Sequence, residues 1–361
     1  MAGPLIVDSD GHVIEPASVW VDYLDPKYHS RAPKRVKDDQ GRDVVMLDGK
    51  LLPAASQFSQ KGKTQGAVTL RAGGYDPRER IKDLDAEEID IAVLYPTTSL
   101  RIAGLTDPEL AAALCGAYND WLADFCRVDP KRLIGVGLVP ILDVDAAIAE
   151  AQRAVGELGF RGIFLRPNPV SGRNWFHPAY EPFWYAVEEL GVPIGFHEGT
   201  TMNVPTAGAD RFVLHWHQHM ISHPHEQQIA LMSLIAGGVM ERHPKLRFAF
   251  LESGAGWIAH WLERMDEHVE YFDWEVEGLT LTPTEYFLRQ GFIAGDPTER
   301  AIPAMAALVG DHVIGWATDY PHPDAIFPGA ARAIRDRTDI PEESKRKILG
   351  ENAAKFYGLD V

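Results

Sequence analysis

With 361 residues, 45% of them hydrophobic and 24% charged, the chain can bury a large core, which excludes a disordered or fibrous protein. Its 35 Lys and Arg against 52 Asp and Glu leave a formal charge of −17, a field that repels a phosphate backbone and argues against nucleic acid as a partner. The chain opens without a basic segment and apolar run, and its longest weakly polar stretch, Ile229–Met240, is short of the ~20 residues a spanning helix needs, so no membrane partner is expected and the reading is cytoplasmic.

Short apolar runs recur along the chain: Leu5–Asp10, Ile89–Tyr95, Leu133–Val139, Gly162–Arg166, Val192–His197, Leu246–Glu252, Gly291–Ala294 and His312–Thr318. Longer segments with helical periodicity separate them, a rhythm that predicts parallel strands with crossover helices. The spacing over 107–127 is the clearest, with Leu110, Leu114, Ala117, Trp121 and Phe125 on one helical face. Strands this apolar are covered on both faces, and eight of them fit closure better than an open sheet. The fold class is therefore read as α/β, a (β/α)8 TIM barrel formed by residues 1–361 as one domain. A doubly wound sheet is the alternative, but it calls for a Gly-rich turn after the first strand, where this chain has Asp-Ser-Asp-Gly-His.

Two stretches break the rhythm. Residues 17–76 hold no strand–helix unit; Val44–Leu47 and Leu51–Leu52 flank Asp48-Gly49 as a hairpin, and Ser56–Gly66 has the composition of a mobile loop. This stretch reads as an insertion after strand 1 that covers the barrel mouth. Residues 199–223 join strand 5 to its helix and are too many for a simple turn. Cys115 and Cys126 fall on one predicted helix, about 16 Å apart and beyond disulfide reach, and read as core thiols.

Active sites in such barrels form at the C-terminal ends of the strands. Strand 1 ends in Asp10 and His12, strand 5 in His197, strand 6 in Glu252, and strand 8 in Asp319 followed by His322. These are oxygen and imidazole donors for a divalent metal ion. Each has a bland reading: Asp10-Gly11-His12 as a turn, His197 as a satisfied core imidazole, Glu252 as an early-helix carboxylate, Asp319 as a turn cap. Their joint placement on four strand ends favours a metal site.

The segment 215–225, HWHQHMISHPH, carries five of the fourteen histidines. A helix starting near Pro224, a favoured first helical position, leaves His223 at the loop's end as a candidate ligand and the other four as exposed loop residues. Arg166, at the end of strand 4, is placed either to clamp a substrate carboxylate or to pack its stem on the rim. Trp257 and Trp261 stand at helical spacing and read as core. No phosphate-loop, dinucleotide or serine-hydrolase motif stands in a supporting context.

Asp-x-His at the first strand, GFHEG at the fifth, HPKLRFAFLESGAGW near the sixth and TDYPHPD at the eighth together resemble the amidohydrolase superfamily. More closely, the chain resembles the branch containing aminocarboxymuconate-semialdehyde decarboxylase and γ-resorcylate decarboxylase, from Asp8 to about Gly358. The resemblance implies a barrel with a metal held by His12, His197 and Asp319, and a homodimer or related oligomer. Two positions depart from it. Many members carry His-x-His, and some decarboxylases Glu-x-His, where this chain has Asp10-Gly11-His12; Glu252 stands where the family usually has His. The harder, more anionic donor set shifts preference from Zn²⁺ towards Mn²⁺ or iron, and its carboxylates can bridge two ions.

The functional expectation is a metal-dependent hydrolase or carboxy-lyase acting on a small carboxylated metabolite, aromatic or not, by hydrolysis or non-oxidative decarboxylation. Asp319 and His197 are its catalytic candidates and Arg166 its substrate anchor. The alternative is a dinuclear non-haem iron or manganese–iron monooxygenase, which the carboxylate-rich pattern also resembles, with Asp10, His12, His197, Glu252, Asp319, His223 and His322 shared between two ions. A non-catalytic subunit predicts an incomplete donor set, whereas this one looks complete. Tyr75, Phe212 and Trp216 are too generic to name a substrate.

Overall fold

A computed structural model of the chain describes residues 3–39, 41, 43–53, 71–199, 204–322 and 325–360. In chain order the strands are β1 (Val7–His12), β2 (Lys34–Lys37), β3 (Asp43–Leu47), β4 (Lys50–Pro53), β5 (Ile91–Tyr95), β6 (Leu133–Gly135), β7 (Gly137–Leu138), β8 (Ile163–Leu165), β9 (Ile194–His197), β10 (Phe248–Leu251), β11 (Gly291–Gly295) and β12 (Ile314–Trp316). One parallel run is β1-β5-β6 and the other β7-β8-β9-β10-β11-β12. The third predicted strand is thus broken in two at Val136, whose N–H bonds to Leu94 O while that of Gly137 turns to Gly162 O.

Where β1 meets β12 the ring closes through mixed bonds. The Ser9 hydroxyl donates to Trp316 O at 2.5 Å, Thr318 N–H to Asp8 Oδ1 at 3.0 Å, and Asp319 N–H to Asp10 O at 3.2 Å. All eight predicted strand positions are present in a (β/α)8 arrangement. Buried apolar side chains from Ile6 to Tyr357 form one continuous cluster. No helix among the described residues is long and apolar enough to cross a membrane.

The helix Pro108–Cys126 runs where the spacing places it. Asp107 caps it by accepting from Glu109 and Leu110 N–H, Pro108 opens it without wasting a donor, and all five predicted face residues are buried. Cys115 and Cys126 are free and buried.

Within 17–76 the hairpin turns at Asp48 and Gly49, both with positive φ, which suits the twist of its strands. A third strand, β2, pairs antiparallel to β3. The apolar pattern misses it because Lys34, Arg35 and Lys37 are exposed. A cavity of about 470 Å³ is bounded by Lys34, Arg35 and Val45 of this sheet and by Ile14, Glu15 and Thr98 of the barrel loops. The segment Ser56–Gly66 lies outside the described residues.

The fifth crossover corrects the expectation. Its helix is His215–Ala236, so Pro224 lies inside it rather than at its start. A proline there removes one backbone donor and crowds the preceding turn. On either side of it two imidazoles bond back to the preceding turn, His223 Nδ1–H to His219 O at 3.0 Å and His225 Nδ1–H to Ile221 O at 2.8 Å. The extra helical turns carry His215, His219 and His223 on one face.

Candidate metal centre

Asp10 and His12 project from β1, His197 ends β9, Glu252 follows β10 and Asp319 follows β12. Glu252 and Asp319 both adopt left-handed backbone, with φ of 47° and 55°, a strained conformation that costs of order 1–3 kcal/mol and re-aims the side chain after a strand. Gln227, from the long helix, donates to Phe196 O and Leu251 O and so ties β9 to β10 just before His197 and Glu252.

Both core histidines are oriented by backbone carbonyls, which only accept. His12 Nδ1–H donates to Pro96 O at 2.9 Å and His197 Nδ1–H to Glu198 O at 2.6 Å. In the neutral rings each Nε2 then carries a lone pair, and the two Nε2 atoms lie 3.0 Å apart. Burial pushes His197 down to about 4, and burial together with His322 and His197 pushes His12 well below the usual imidazole range. Neither ring is therefore a proton donor to the other at neutral pH.

Asp10 is buried, and neither of its carboxylate oxygens has a hydrogen-bond partner among the described residues. They lie 3.5 Å from His12 Nε2 and 3.6 Å from His197 Nε2. Burial, and then the charges of Asp319, Glu252 and Asp8, push its carboxyl well above the usual range. Asp319 Oδ1 is 3.3 Å from His12 Nε2, and Glu252 Oε2 is 3.1 Å from His197 Nε2. Separations of this size are the edges of a coordination polyhedron with bonds of about 2.1 Å. Two opposed lone pairs and an orphaned carboxylate fit a divalent cation and fit a hydrogen-bonded core poorly.

His322 stands behind Asp319. Its Nδ1 lies 2.7 Å from Asp319 Oδ1, its Nε2 is hydrogen-bonded to the Thr97 hydroxyl at 2.9 Å, and its ring stacks on His12 at 4.0 Å. It joins the donor cluster by position, in a trio with His12 and Asp319.

A further donor escaped the sequence reading. His219, His223 and Glu252 form their own trio, His223 Nε2 lying 3.4 Å and His219 Nε2 3.7 Å from the Glu252 carboxylate. Spacing of four residues between His215, His219 and His223 was the available signal, hidden by starting the helix at Pro224. Burial pulls His223 down, but the Glu252 and Glu198 carboxylates outweigh it and raise it to about 9. Burial likewise opposes ionisation of Glu252, and His223 and His197 win, holding it well below the usual range.

A cavity of about 750 Å³ opens onto this group, lined among others by His219, His223, Glu252, Asp296, Asp319 and Ile326. Arg166 is not among its lining residues. Its guanidinium is buried, donating from Nη2 to Glu198 Oε1 at 2.5 Å and from Nε to Asn168 Oδ1 at 3.0 Å. Glu198 Oε2 in turn accepts from the Ser222 hydroxyl. The guanidinium thus meets an internal carboxylate where the sequence reading placed a substrate's.

An amidohydrolase family model matches residues 7–359. A 2-amino-3-carboxymuconate-6-semialdehyde decarboxylase of Dictyostelium discoideum is 29% identical, over 79% of this chain and 77% of its own length. A γ-resorcylate decarboxylase of Rhodococcus jostii is 27% identical, over 78% and 87%. The crystal structure of 5-carboxyvanillate decarboxylase from Novosphingobium aromaticivorans, complexed with manganese and 4-hydroxy-3-methoxy-5-nitrobenzoic acid, superposes with a TM-score of 0.73 at 23% identity, over 99% and 97% of the two chains.

Proposed function

We propose that this chain, which belongs to the amidohydrolase family, is a metal-dependent carboxy-lyase that removes CO₂ from a small carboxylated, aromatic metabolite without an oxidant. The observation that carries the reading is the pair of opposed Nε2 lone pairs on His12 and His197 beside the orphaned Asp10 carboxylate. The decarboxylase relatives supply the reaction class, and the manganese held by one of them supports Mn²⁺ as the ion.

Asp10, His12, His197 and Asp319 would hold the ion, with Glu252 at the edge of the set. When bound, it supplies a Lewis acid that grips substrate oxygens and stabilises developing negative charge. Asp319 is the proton carrier of this reading. It borders the cavity, and His322, hydrogen-bonded to Thr97, stands 2.7 Å behind it as a second group that can exchange a proton with the acid. In that step the bond between the ring carbon and the carboxyl carbon breaks, its electron pair remains on the ring carbon, and the proton takes that pair as CO₂ leaves. His197 orients the ion rather than moving a proton, since both its nitrogens are committed. Arg166 acts through Glu198, holding the carboxylate next to His197 and Ser222. In this reading the sheet β2-β3-β4 of the insertion covers the mouth beside β1, supported by the cavity that Lys34, Arg35 and Val45 share with Ile14 and Glu15.

One observation favours two ions over one. The trios Asp10, His12, His197 and His219, His223, Glu252 share no residue, and Glu252 Oε2 stands between His197 and His223. Ion number is separable from chemistry, and the three decarboxylases named above lend no support to the oxygenase alternative.

The test is anaerobic incubation of the Mn²⁺-loaded chain with hydroxy- and amino-substituted benzoic acids, reading CO₂ and the decarboxylated arene. Release of both, lost in His12→Ala, is expected. Turnover of amides or esters with no CO₂ from any acid overturns the reading.

A further inference from the structure

We propose that Arg80 is a positioning residue for the metal centre: its buried guanidinium locks the end of β1 to the end of β12 so that Asp10, His12 and Asp319 face one point. This rests on the metal-centre reading above. Arg80 lies on the helix Pro77–Glu87 and is 1% exposed. Its Nη1–H donates to His12 O at 2.8 Å, and its guanidinium lies over the Tyr320 ring at 4.5 Å. His12 and Tyr320 are themselves joined, His12 N–H donating to Tyr320 O at 2.7 Å. One side chain therefore touches both members of the bond that joins a metal donor on one strand to the residue after a metal donor on the other. The helix grips Tyr320 a second time through Asp83, which accepts from its hydroxyl.

Gly11 explains how close the guanidinium comes. The residue is absent from those with left-handed backbone, so a turn does not require a glycine there. Space does: a Cβ at Gly11 would lie 2.5 Å from Arg80 Nη2 and 2.8 Å from Asp8 Oδ2. The gap between the two donors of Asp10-Gly11-His12 is filled from behind by the arginine. Asp8 completes the brace by accepting from Thr318 N–H at 3.0 Å and from its hydroxyl at 2.6 Å.

Stability alone accounts poorly for this arrangement. Arg80 Nε and Nη2 have no hydrogen-bond partner among the described residues, and a buried cation with unmet donors is costly where an apolar side chain of similar volume is not. The positive charge stabilises Asp8, the carboxylate that braces Thr318 against β1, and so supports the join between the two strand ends.

The experiment measures Mn²⁺ dissociation constants by calorimetry on the full chain, with melting of the metal-free proteins alongside. Arg80→Met is expected to weaken binding about 10- to 100-fold, as loss of a group that orients metal ligands does, and Arg80→Lys to recover part of it. Gly11→Ala weakens binding through the same contact and is non-additive with Arg80→Met. Where Arg80→Met does not fold, Gly11→Ala and Arg80→Lys carry the test, and wild-type affinity in both overturns the proposal. Unchanged affinity in a folded Arg80→Met, or strict additivity of the pair, also overturns it. A wild-type chain that binds no Mn²⁺ sinks the metal-centre reading itself, a result distinct from those.

Discussion

The Nε2 atoms of His12 and His197 face each other across 3.0 Å while both Nδ1–H groups are held by backbone carbonyls. Two acceptors at hydrogen-bond distance repel unless a cation lies between them. Loss of either ring should therefore abolish metal binding while sparing the barrel. His12→Ala and His197→Ala are expected to lower Mn²⁺ affinity by more than about 100-fold, read by mass spectrometry of metal content after desalting. Retention of a full complement of metal by both variants would defeat the assignment.

An ion that binds only the folded chain must also raise its melting temperature. At 100 times its dissociation constant the gain is about 2.7 kcal/mol, or about 3–4 °C for a chain of this size. Calorimetric scans with and without Mn²⁺ test this. The gain should vanish in Asp10→Asn, which weakens a buried carboxylate whose two oxygens have no hydrogen-bond partner among the described residues.

His322 Nδ1 stands 2.7 Å from Asp319 Oδ1 while its Nε2 is tied to the Thr97 hydroxyl, so it is placed to exchange protons with the acid without itself being needed as a ligand. His322→Ala is expected to cut kcat about 100-fold while metal affinity falls less than tenfold. The comparison of turnover with metal titration separates the two roles; parallel collapse of both would make His322 a ligand instead.

If His219, His223 and Glu252 hold a second ion, the wild-type chain carries two equivalents and His219→Ala one. A single equivalent in both proteins removes the second site and leaves the first untouched.

Glu226 gives a pH signature away from the donors. Burial raises its carboxyl to about 7, against the Ala207 N–H bond that lowers it. Between the unfolded value near 4.5 and the folded one, the native chain holds a proton that the unfolded chain has lost, so stability declines as pH rises through that window. Glu226→Gln should remove the decline. Its melting temperature relative to wild type should be about 2–5 °C higher at pH 8 than at pH 5, and an equal difference at both pH values would refute the assignment.

Much of this fold is written in local pattern. Apolar runs place every barrel strand, and the 3.6-residue period places the helix behind Cys115 and Cys126, because burial on two faces or on one stripe leaves a direct imprint on residue order. The imprint fails where two local rules compete. Pro224 reads as a helix start, yet the helix runs back through it to His215, with Ser222 and His223 of the added turns buried against the barrel, and with that His219 enters the site. Strand β2 escapes because its side chains are charged and its reason for existing is the hairpin beside it.

What the sequence determined by itself is the donor inventory and its order on the strand ends, since residue type and strand position are both local properties. Which atoms meet was decided by the tertiary structure alone. His12 and His197 are 185 positions apart and come within 3.0 Å only when the barrel closes. The same closure turns Arg166 to Glu198 and Arg80 to His12, because a buried guanidinium takes whichever acceptors the packed interior sets beside it.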